Sequence, residues 1–223
     1  MKINQLLTAA CVLLSATGIR AQVIQAKPGN NKISTFQDRI RQEPRIADYS
    51  VDPKRGTPEF IRFNEVASFD ISQADEMINR FLPVRKNVDN LARIKNDAAY
   101  GNIEVIRYQQ YFKGIKVEHG NYIVTAKDNQ LSFMTGEFYT IDADQPIVPV
   151  ISEATAFARA LQAVNATRYI WQTADSALEY GKHPAAELVF ADNVMQSKGQ
   201  RLAYKFDIYA VQPLGRTRVY VDA

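Results

Sequence analysis

The sequence predicts an α+β fold of two similar units, in each of which one helix packs on a meander of antiparallel strands. Three observations support this prediction: alternating apolar runs lie between residues 107 and 136, an amphipathic helix pattern precedes them, and a second helix pattern followed by strand-like runs begins near residue 152. We therefore divide the chain into a signal peptide at 1–21, a polar arm or linker at 22–58, a first unit at 59–145 and a second unit at 150–223.

The first 21 residues have the three parts of a secretory signal peptide. Lys2 supplies the positive start, Leu6 to Leu14 form the apolar stretch, and Ile19-Arg20-Ala21 offers a cleavage site before Gln22. The apolar stretch is shorter than the roughly 20 residues that a membrane-spanning helix needs. We therefore expect the mature protein to be secreted, in the periplasm or outside the cell.

Cys11 is the only cysteine, so cleavage would leave a mature chain without any. Disulfides, thiolate metal ligands and a cysteine nucleophile are then excluded. The alternative, that Cys11 is the modified residue of a lipoprotein signal, leaves almost no apolar segment before it. Removal of Lys2 and Arg20 leaves 25 basic against 24 acidic residues. This balance predicts neither nucleic acid nor a membrane surface as a partner, and the alternating charges of residues 38–45 are typical of a solvated face.

The arm is rich in turn-forming residues and shows only a short helix pattern near residues 36–40. The first unit begins with a strand at Phe60–Phe63. Ser72 to Asp75 fit a capping box that opens a helix, which Pro83 ends. The apolar residues of this helix fall at helical spacing and predict one buried stripe, made of Ala74, Met77, Ile78, Phe81 and Leu82.

The meander follows a short strand predicted at Leu91–Ile94, and its turns are predicted at Lys113-Gly114 and Asp128-Asn129. Gly114 would supply the positive φ of a tight turn, so Gly114→Val is expected to misfold the first unit. Alternation places two sets of side chains on shared faces: Ile106, Tyr108, Gln110 and Phe112 on one strand, and Tyr122, Val124 and Ala126 on a later one.

The second unit follows Pro146 and Pro149. Its helix is predicted from the N-cap Ser152 to about Val164, with Glu153 near the positive end of the helix dipole. The predicted apolar stripe is Ala154, Phe157, Ala158, Leu161 and Val164. Three strands are expected at Glu187–Phe190, Arg201–Val211 and Thr217–Val221, with turns at Asp192-Asn193, Ser197-Lys198-Gly199 and Pro213-Leu214-Gly215.

Residues with catalytic or metal-binding chemistry do not form a recognisable pattern. His119 and His183 are the only histidines and fall in different predicted units, so we expect structural or solvated roles for both. There is neither a His-Glu-x-x-His nor a Gly-x-Ser-x-Gly motif. Asp142 and Asp144 precede a proline and are more typical of a turn than of an acid–base pair. The eleven tyrosines and eleven phenylalanines mostly have strand spacing, which favours packing over ligand binding.

The meander also carries a family resemblance. The sequences Tyr108-Gln109-Gln110-Tyr111, Gly114-Ile115-Lys116-Val117-Glu118 and Tyr122-Ile123-Val124, with the later Leu131 and Gly136, resemble the fungalysin/thermolysin propeptide domain of secreted zinc metalloproteases. From Ile151 onward the order of elements, ending in Val219-Tyr220-Val221-Asp222-Ala223, resembles the PepSY domain that stands between such a propeptide and its protease. The resemblance implies a cystatin-like arrangement for both units.

The resemblance implies a propeptide that acts as intramolecular chaperone and inhibitor of a thermolysin-like protease domain. That domain would be joined in cis if this chain is a fragment, as we expect because the terminal strand ends abruptly, or act in trans if it is complete. No cofactor is expected here, since zinc and calcium would belong to the catalytic domain. Five positions match the family pattern and are expected to be structural: Tyr108, Gln110, Gly114, Val117 and Asp222.

Two other classes of function remain open at this stage. A secreted stand-alone protease inhibitor would act without ever being joined to a protease. An envelope module would bind a peptide or glycan through sheet edges or aromatic residues and would affect no protease.

Overall fold

The part of the chain that the structure describes forms three short α-helices and one ten-stranded sheet. The computed structural model describes residues 35–98, 101–173, 182–192 and 199–223. Its helices are α1 (Phe36–Gln42), α2 (Ala74–Phe81) and α3 (Glu153–Val164). The predicted signal peptide, with Cys11, lies outside the described residues, as do most of the turns predicted at Asp192-Asn193 and Ser197-Lys198-Gly199.

The sheet has the strand order β1-β2-β6-β5-β8-β9-β10, and β4 and β3 extend from the other edge of β5. Every pairing is antiparallel except that of β5 with β8, and the short β7 pairs with β9. The strands are β1 (Ile46–Val51), β2 (Pro58–Phe63), β3 (Asp89–Ala98), β4 (Ile103–Phe112), β5 (Ile115–Lys127), β6 (Gln130–Gly136), β7 (Arg168–Tyr169), β8 (Glu187–Asp192), β9 (Gln200–Gln212) and β10 (Leu214–Asp222). The predicted α+β class with a mostly antiparallel sheet is confirmed.

Two tight turns form the meander where the sequence predicts them. Lys113 and Gly114 have φ of 45° and 85°, and Asp128 and Asn129 have φ of 52° and 62°. Positive φ at both central residues is what a type I′ hairpin turn requires, and glycine and asparagine tolerate it best. The side chains expected to share faces of β4 and β5 are all buried.

The predicted stripe of α2 is also buried, and it packs on the first core of the sheet with Phe63, Phe69 and Tyr108. The helix begins differently from the prediction. Asp70, not Ser72, is the capping residue: its carboxylate accepts from the Ser72 N–H at 2.9 Å, and the chain passes through a 3-10 turn before α2. Aspartate is among the most favoured N-cap residues. Because Asp70 caps the 3-10 turn that precedes α2, the observed cap lies two residues before the predicted one at Ser72.

Residues 35–58 are not a loosely packed arm. Thr35 caps α1 in a capping box with Asp38, and Ile40 of that helix is only 2% exposed. β1 then pairs with β2. Glu43, predicted to lie on a solvated face, is buried between the guanidinium groups of Arg45 and Arg80, at 2.7 and 2.8 Å. The prediction of a solvated face was wrong for Glu43, because the polar composition does not reveal that its charge is paired with two arginines.

Helix α3 has the predicted bounds and the predicted Ser152 N-cap, but it is rotated on the sheet. Ala156 and Ala160 are buried, whereas Ala154 and Ala158 are exposed. The pairs Ala154/Ala158 and Ala156/Ala160 lie on either side of the larger apolar residues of the helix. The hydrophobic pattern therefore does not determine which alanine pair faces the sheet. The helix packs on β9 and β10 with Phe157, Leu161 and Val164 beside the buried alanines.

The two predicted units share one sheet and are not separated by the Pro146–Pro149 connection. Along one edge of β5, residues 122–127 pair with β6, whereas Lys116 and Val117 pair with Val189 and Phe190 of β8. A third apolar cluster lies at this junction and consists of Phe112, Val117, Ile141, Phe190 and Leu202. The described residues therefore fall in one compact unit.

Candidate functional site

Three of the five family-pattern residues, Gln110, Gly114 and Val117, lie at the junction between the two halves of the sheet. We call this region the seam: residues 116–120 of β5 with the residues of β4, β8 and β9 that contact them. Gln110 and Val117 are completely buried there, and Gly114 forms the adjacent turn. Asp222 lies at the far end of β10 and is exposed, although the next residue, Ala223, packs against the cluster that contains Val117.

A bulge in β5 forms the centre of the seam. Gln109 of β4 pairs with Asn121, but Tyr111 already pairs with Lys116, so residues 117–120 of β5 are displaced from the ladder. The Gln109 amide nitrogen donates to the carbonyl oxygens of Val117 at 2.7 Å and Gly120 at 3.1 Å. A buried side chain thus satisfies the backbone oxygens that the bulge releases. Sequence reasoning missed this role of Gln109.

Gly120 is required where the bulge meets β4. A Cβ atom at this position would lie 2.8 Å from Oε1 and 2.9 Å from Cβ of Gln110, too close for a real side chain. The preceding His119 has φ of 62° and an exposed side chain. A glycine inside a strand pattern is the signal that could have predicted the bulge.

Tyr108 connects the sheet to α2. Its hydroxyl donates to Asp75 Oδ1 at 2.6 Å, and Arg93 Nε donates to the same oxygen at 2.8 Å. Burial and the neighbouring carboxylate raise the pKa of the Tyr108 hydroxyl. Partial burial disfavours the charge of Asp75, but the hydrogen bonds from Arg93 and Tyr108 outweigh it, so the pKa of the Asp75 carboxyl is lowered.

Four charged side chains link the halves across the seam. Lys205 of β9 lies 3.1 Å from Glu118 of β5 and 3.1 Å from Glu187 of β8, and Lys116 also lies 3.1 Å from Glu187. Burial opposes the charge of Lys205, but its two carboxylate partners outweigh that effect and raise the pKa of its ammonium group. The pKa of Glu187 is lowered against its own partial burial by hydrogen bonds from Lys205 and Lys116.

His119 lies in the seam with its side chain exposed, and the other candidate chemical groups, His183, Asp142 and Asp144, lie outside it. The described residues bring no three metal-ligating side chains together. His183 is exposed, and its ring lies 4.5 Å from that of Phe157 between centroids. Asp142 accepts the backbone N–H of Asp144 at 3.2 Å, which is a turn contact. Within the described residues, the seam is held by buried hydrogen bonds, apolar packing and charge pairs.

A comparison with protein families matches part of the first half of the sheet. The sequence model of a family described as Fungalysin/Thermolysin Propeptide Motif matches residues 93–138, which run from β3 to just beyond β6. No curated protein matches the sequence significantly. None of the described helices has the length and apolar composition needed to cross a bilayer. The match supports a propeptide of a thermolysin-like protease, a class of propeptide that belongs to secreted proteases, and indicates that this region is not the catalytic domain.

Proposed function

We propose that this chain is the propeptide region of a secreted thermolysin-like zinc metalloprotease and acts as intramolecular chaperone and inhibitor of the catalytic domain. The observation that carries the proposal is the propeptide-motif match over residues 93–138. Its described part contains Gln109, Gln110 and Gly120, the residues that build the bulge, and Tyr108, which fixes α2.

A preformed sheet would suit both activities. A protease domain with a high folding barrier folds faster if a surface binds its transition state, and a surface that binds the native enzyme stabilises it by mass action. The seam supports such a role because apolar packing and charge pairs hold both halves in one preformed surface. Binding by a preformed surface avoids the loss of conformational entropy that a flexible segment would incur.

The second half fits the PepSY-like unit of this proposal. α3 precedes β8, β9 and β10 and packs on the last two, much as α2 packs on the first half. Each half is thus one principal helix on antiparallel strands, which is the cystatin-like plan that the family resemblance implies. Asp222 would then lie next to the junction with the protease.

Export and metal binding complete the proposal. Residues 1–21 would direct secretion and be removed before Gln22. Zinc and calcium would be bound by the catalytic domain, as the family resemblance implies. The seam contributes no step of peptide hydrolysis, and its proposed role is to bind and hold the partner.

The test uses thermolysin-type zinc proteases of the source organism, first among them any domain that is encoded in frame beyond Ala223. Each catalytic domain is produced alone and together with residues 22–223, and peptidase activity is measured before and after the propeptide is removed. We expect little active enzyme without the chain, and a folded but inhibited enzyme with it.

Equal yields of active enzyme with and without the chain, together with no inhibition by it, would contradict the proposal. The two alternative classes of function predict different results in the same experiment. A stand-alone inhibitor would block the native protease without raising its folding yield. A peptide- or glycan-binding envelope module would change neither quantity.

A further inference from the structure

β10 is an open edge of the sheet. Its nine residues pair with β9 in one uninterrupted register, from Leu214 with Val211 to Asp222 with Ala203. Among the described residues, no strand pairs with its other side. In an antiparallel ladder, alternate residues turn their N–H and C=O groups away from the neighbouring strand. The outer side of β10 therefore presents a row of unpaired backbone donors and acceptors.

The other edges of the sheet are irregular. β1 has only six residues and carries two register shifts against β2, and β3 carries one against β4. Bulges and short edge strands are the usual means by which proteins prevent unwanted strand pairing. β10 contains neither a bulge nor a proline. It is thus the regular, accessible edge of a sheet whose other edges are interrupted.

The side chains of β10 indicate what kind of strand could join it. On one face, Arg216 is held by Asp207 at 2.8 Å. Arg218 is exposed and lies directly opposite the same Asp207 in the ladder, but among the described residues its guanidinium group makes neither a side-chain hydrogen bond nor a close ion pair. Thr217 and Val219 border a cavity of about 530 Å³, which α3 lines with Ala163 and Val164 and which Asp192, Arg218 and Asp222 also line. A joining strand would meet the guanidinium group of Arg218 and, beside α3, a mainly aliphatic wall that also carries the carboxylates of Asp192 and Asp222.

We propose that β10 binds an extended segment of the protease domain in which acidic and aliphatic side chains alternate. The carboxylates would pair with Arg218 and the aliphatic side chains would enter the cavity beside α3. This inference rests on the proposed function for the source of the segment, while the ligand chemistry comes from β10 itself.

A second copy of this chain fits the edge less well. Antiparallel pairing of two β10 strands over all nine residues would centre on Arg218 and place the two arginines directly opposite each other. Like charges at that position destabilise a strand pair. A shifted register would avoid this repulsion only by shortening the ladder.

Hydrogen exchange of the full chain, with and without the protease domain, tests the inference directly. We expect residues 214–222 to gain protection in the complex, while β1 serves as an internal control and stays unchanged. Arg218→Glu should weaken binding about tenfold, since it turns an attractive cross-strand pair into a repulsive one. Arg201→Glu is the matched control, because Arg201 is an exposed arginine on β9, away from the open edge.

A synthetic peptide, Thr-Val-Glu-Val-Glu-Val-Thr, separates this inference from the proposed function. If the protease binds but β10 gains no protection and Arg218→Glu binds like the parent, the inference fails and the propeptide role stands. A second outcome is that no protease binds, that the peptide protects β10, and that an analogue with lysine in place of glutamate gives no protection. In that case the proposed ligand chemistry is correct and the propeptide role fails. Protection of β10 that rises with the concentration of the chain itself would assign the edge to a second copy and overturn the inference.

Discussion

Gln110 and Tyr139 form a reciprocal pair of hydrogen bonds in the interior of the protein. The Gln110 amide nitrogen donates to the Tyr139 carbonyl at 2.7 Å, and its oxygen accepts the Tyr139 N–H at 2.9 Å. Gln110 is fully buried. The side chain therefore replaces a backbone partner for the segment that leaves β6, and it holds that segment against β4 beside the bulge.

Replacement of this side chain tests its structural role. Gln110→Leu would leave one N–H and one C=O of the partly buried Tyr139 without their side-chain partner, so we expect the free energy of unfolding to fall by about 2–4 kcal/mol. Urea denaturation measures the change. Gln162→Leu, at an exposed position of α3, is the control and should stay within about 0.5 kcal/mol of the parent. A similarly small effect of Gln110→Leu would refute the role assigned to the pair.

Phe190 tests whether the two halves unfold together. Its ring packs edge-on against Phe112 with centroids 5.0 Å apart, across the seam. Phe190→Ala should lower stability by about 3–5 kcal/mol. Because the halves share one sheet, native-state hydrogen exchange should show an equal loss of protection in β4–β6 and in β9. Leu131→Ala, in the first core alone, should likewise affect both halves. Loss confined to the mutated half in either variant would indicate two independent units.

The charge network of the seam predicts a dependence of stability on pH. Glu187 has a folded-state pKa below its ordinary 4.5, so its contribution is present above that value and is lost as the pH falls through the lowered pKa. Lys205 has a pKa raised above 10.5, so its contribution is complete below that value and is lost as the pH rises through the raised pKa.

Lys205→Met should therefore destabilise the protein most between about pH 6 and 9, by about 1–2 kcal/mol because the network is partly solvated. Denaturation midpoints across the pH range give the comparison. The control is Lys127→Met, an exposed position whose curve should run parallel to that of the parent. A difference between the parent and Lys205→Met that does not vary with pH would argue against the network.

Gly114 tests the hairpin turn. Its φ is 85°, and a Cβ atom there would meet nothing within 4 Å, so the penalty for a side chain comes from the backbone conformation alone. Gly114→Val should cost about 2 kcal/mol, whereas Gly114→Asn should cost less because asparagine tolerates positive φ. Thermal melts followed by circular dichroism distinguish them. A valine variant that melts like the parent would be inconsistent with this turn geometry.

The meander was predictable because its signals are local. Alternating apolar residues and the two turn dipeptides specify strand, face and turn within a few residues of each other. The short helix pattern near residues 36–40 marks α1, but β1 and the packing of this region were harder to recognise, since Glu43 and its arginine partners look like a solvated surface until their pairing is seen. The orientation of α3 was ambiguous because two alanine pairs offered equivalent faces.

The seam depends on contacts between residues far apart in sequence. The parallel pairing of Val117 with Phe190 joins strands about 70 residues apart. Neither strand shows a hydrophobic periodicity that would predict this pairing. The roles of Gln109 and Gly120 depend on the bulge, which appears only when β4 and β5 are placed in register. The open edge of β10 likewise becomes apparent only from the order of all the strands.

Refolding of a thermolysin-type catalytic domain tests the central claim most directly. Denatured domain from the source organism is diluted into zinc- and calcium-containing buffer with or without an equimolar amount of residues 22–223, and peptidase activity is followed after the propeptide is digested. We predict a clearly higher yield of active enzyme with the chain, and inhibition while the chain is intact. Identical yields and no inhibition would contradict the propeptide role.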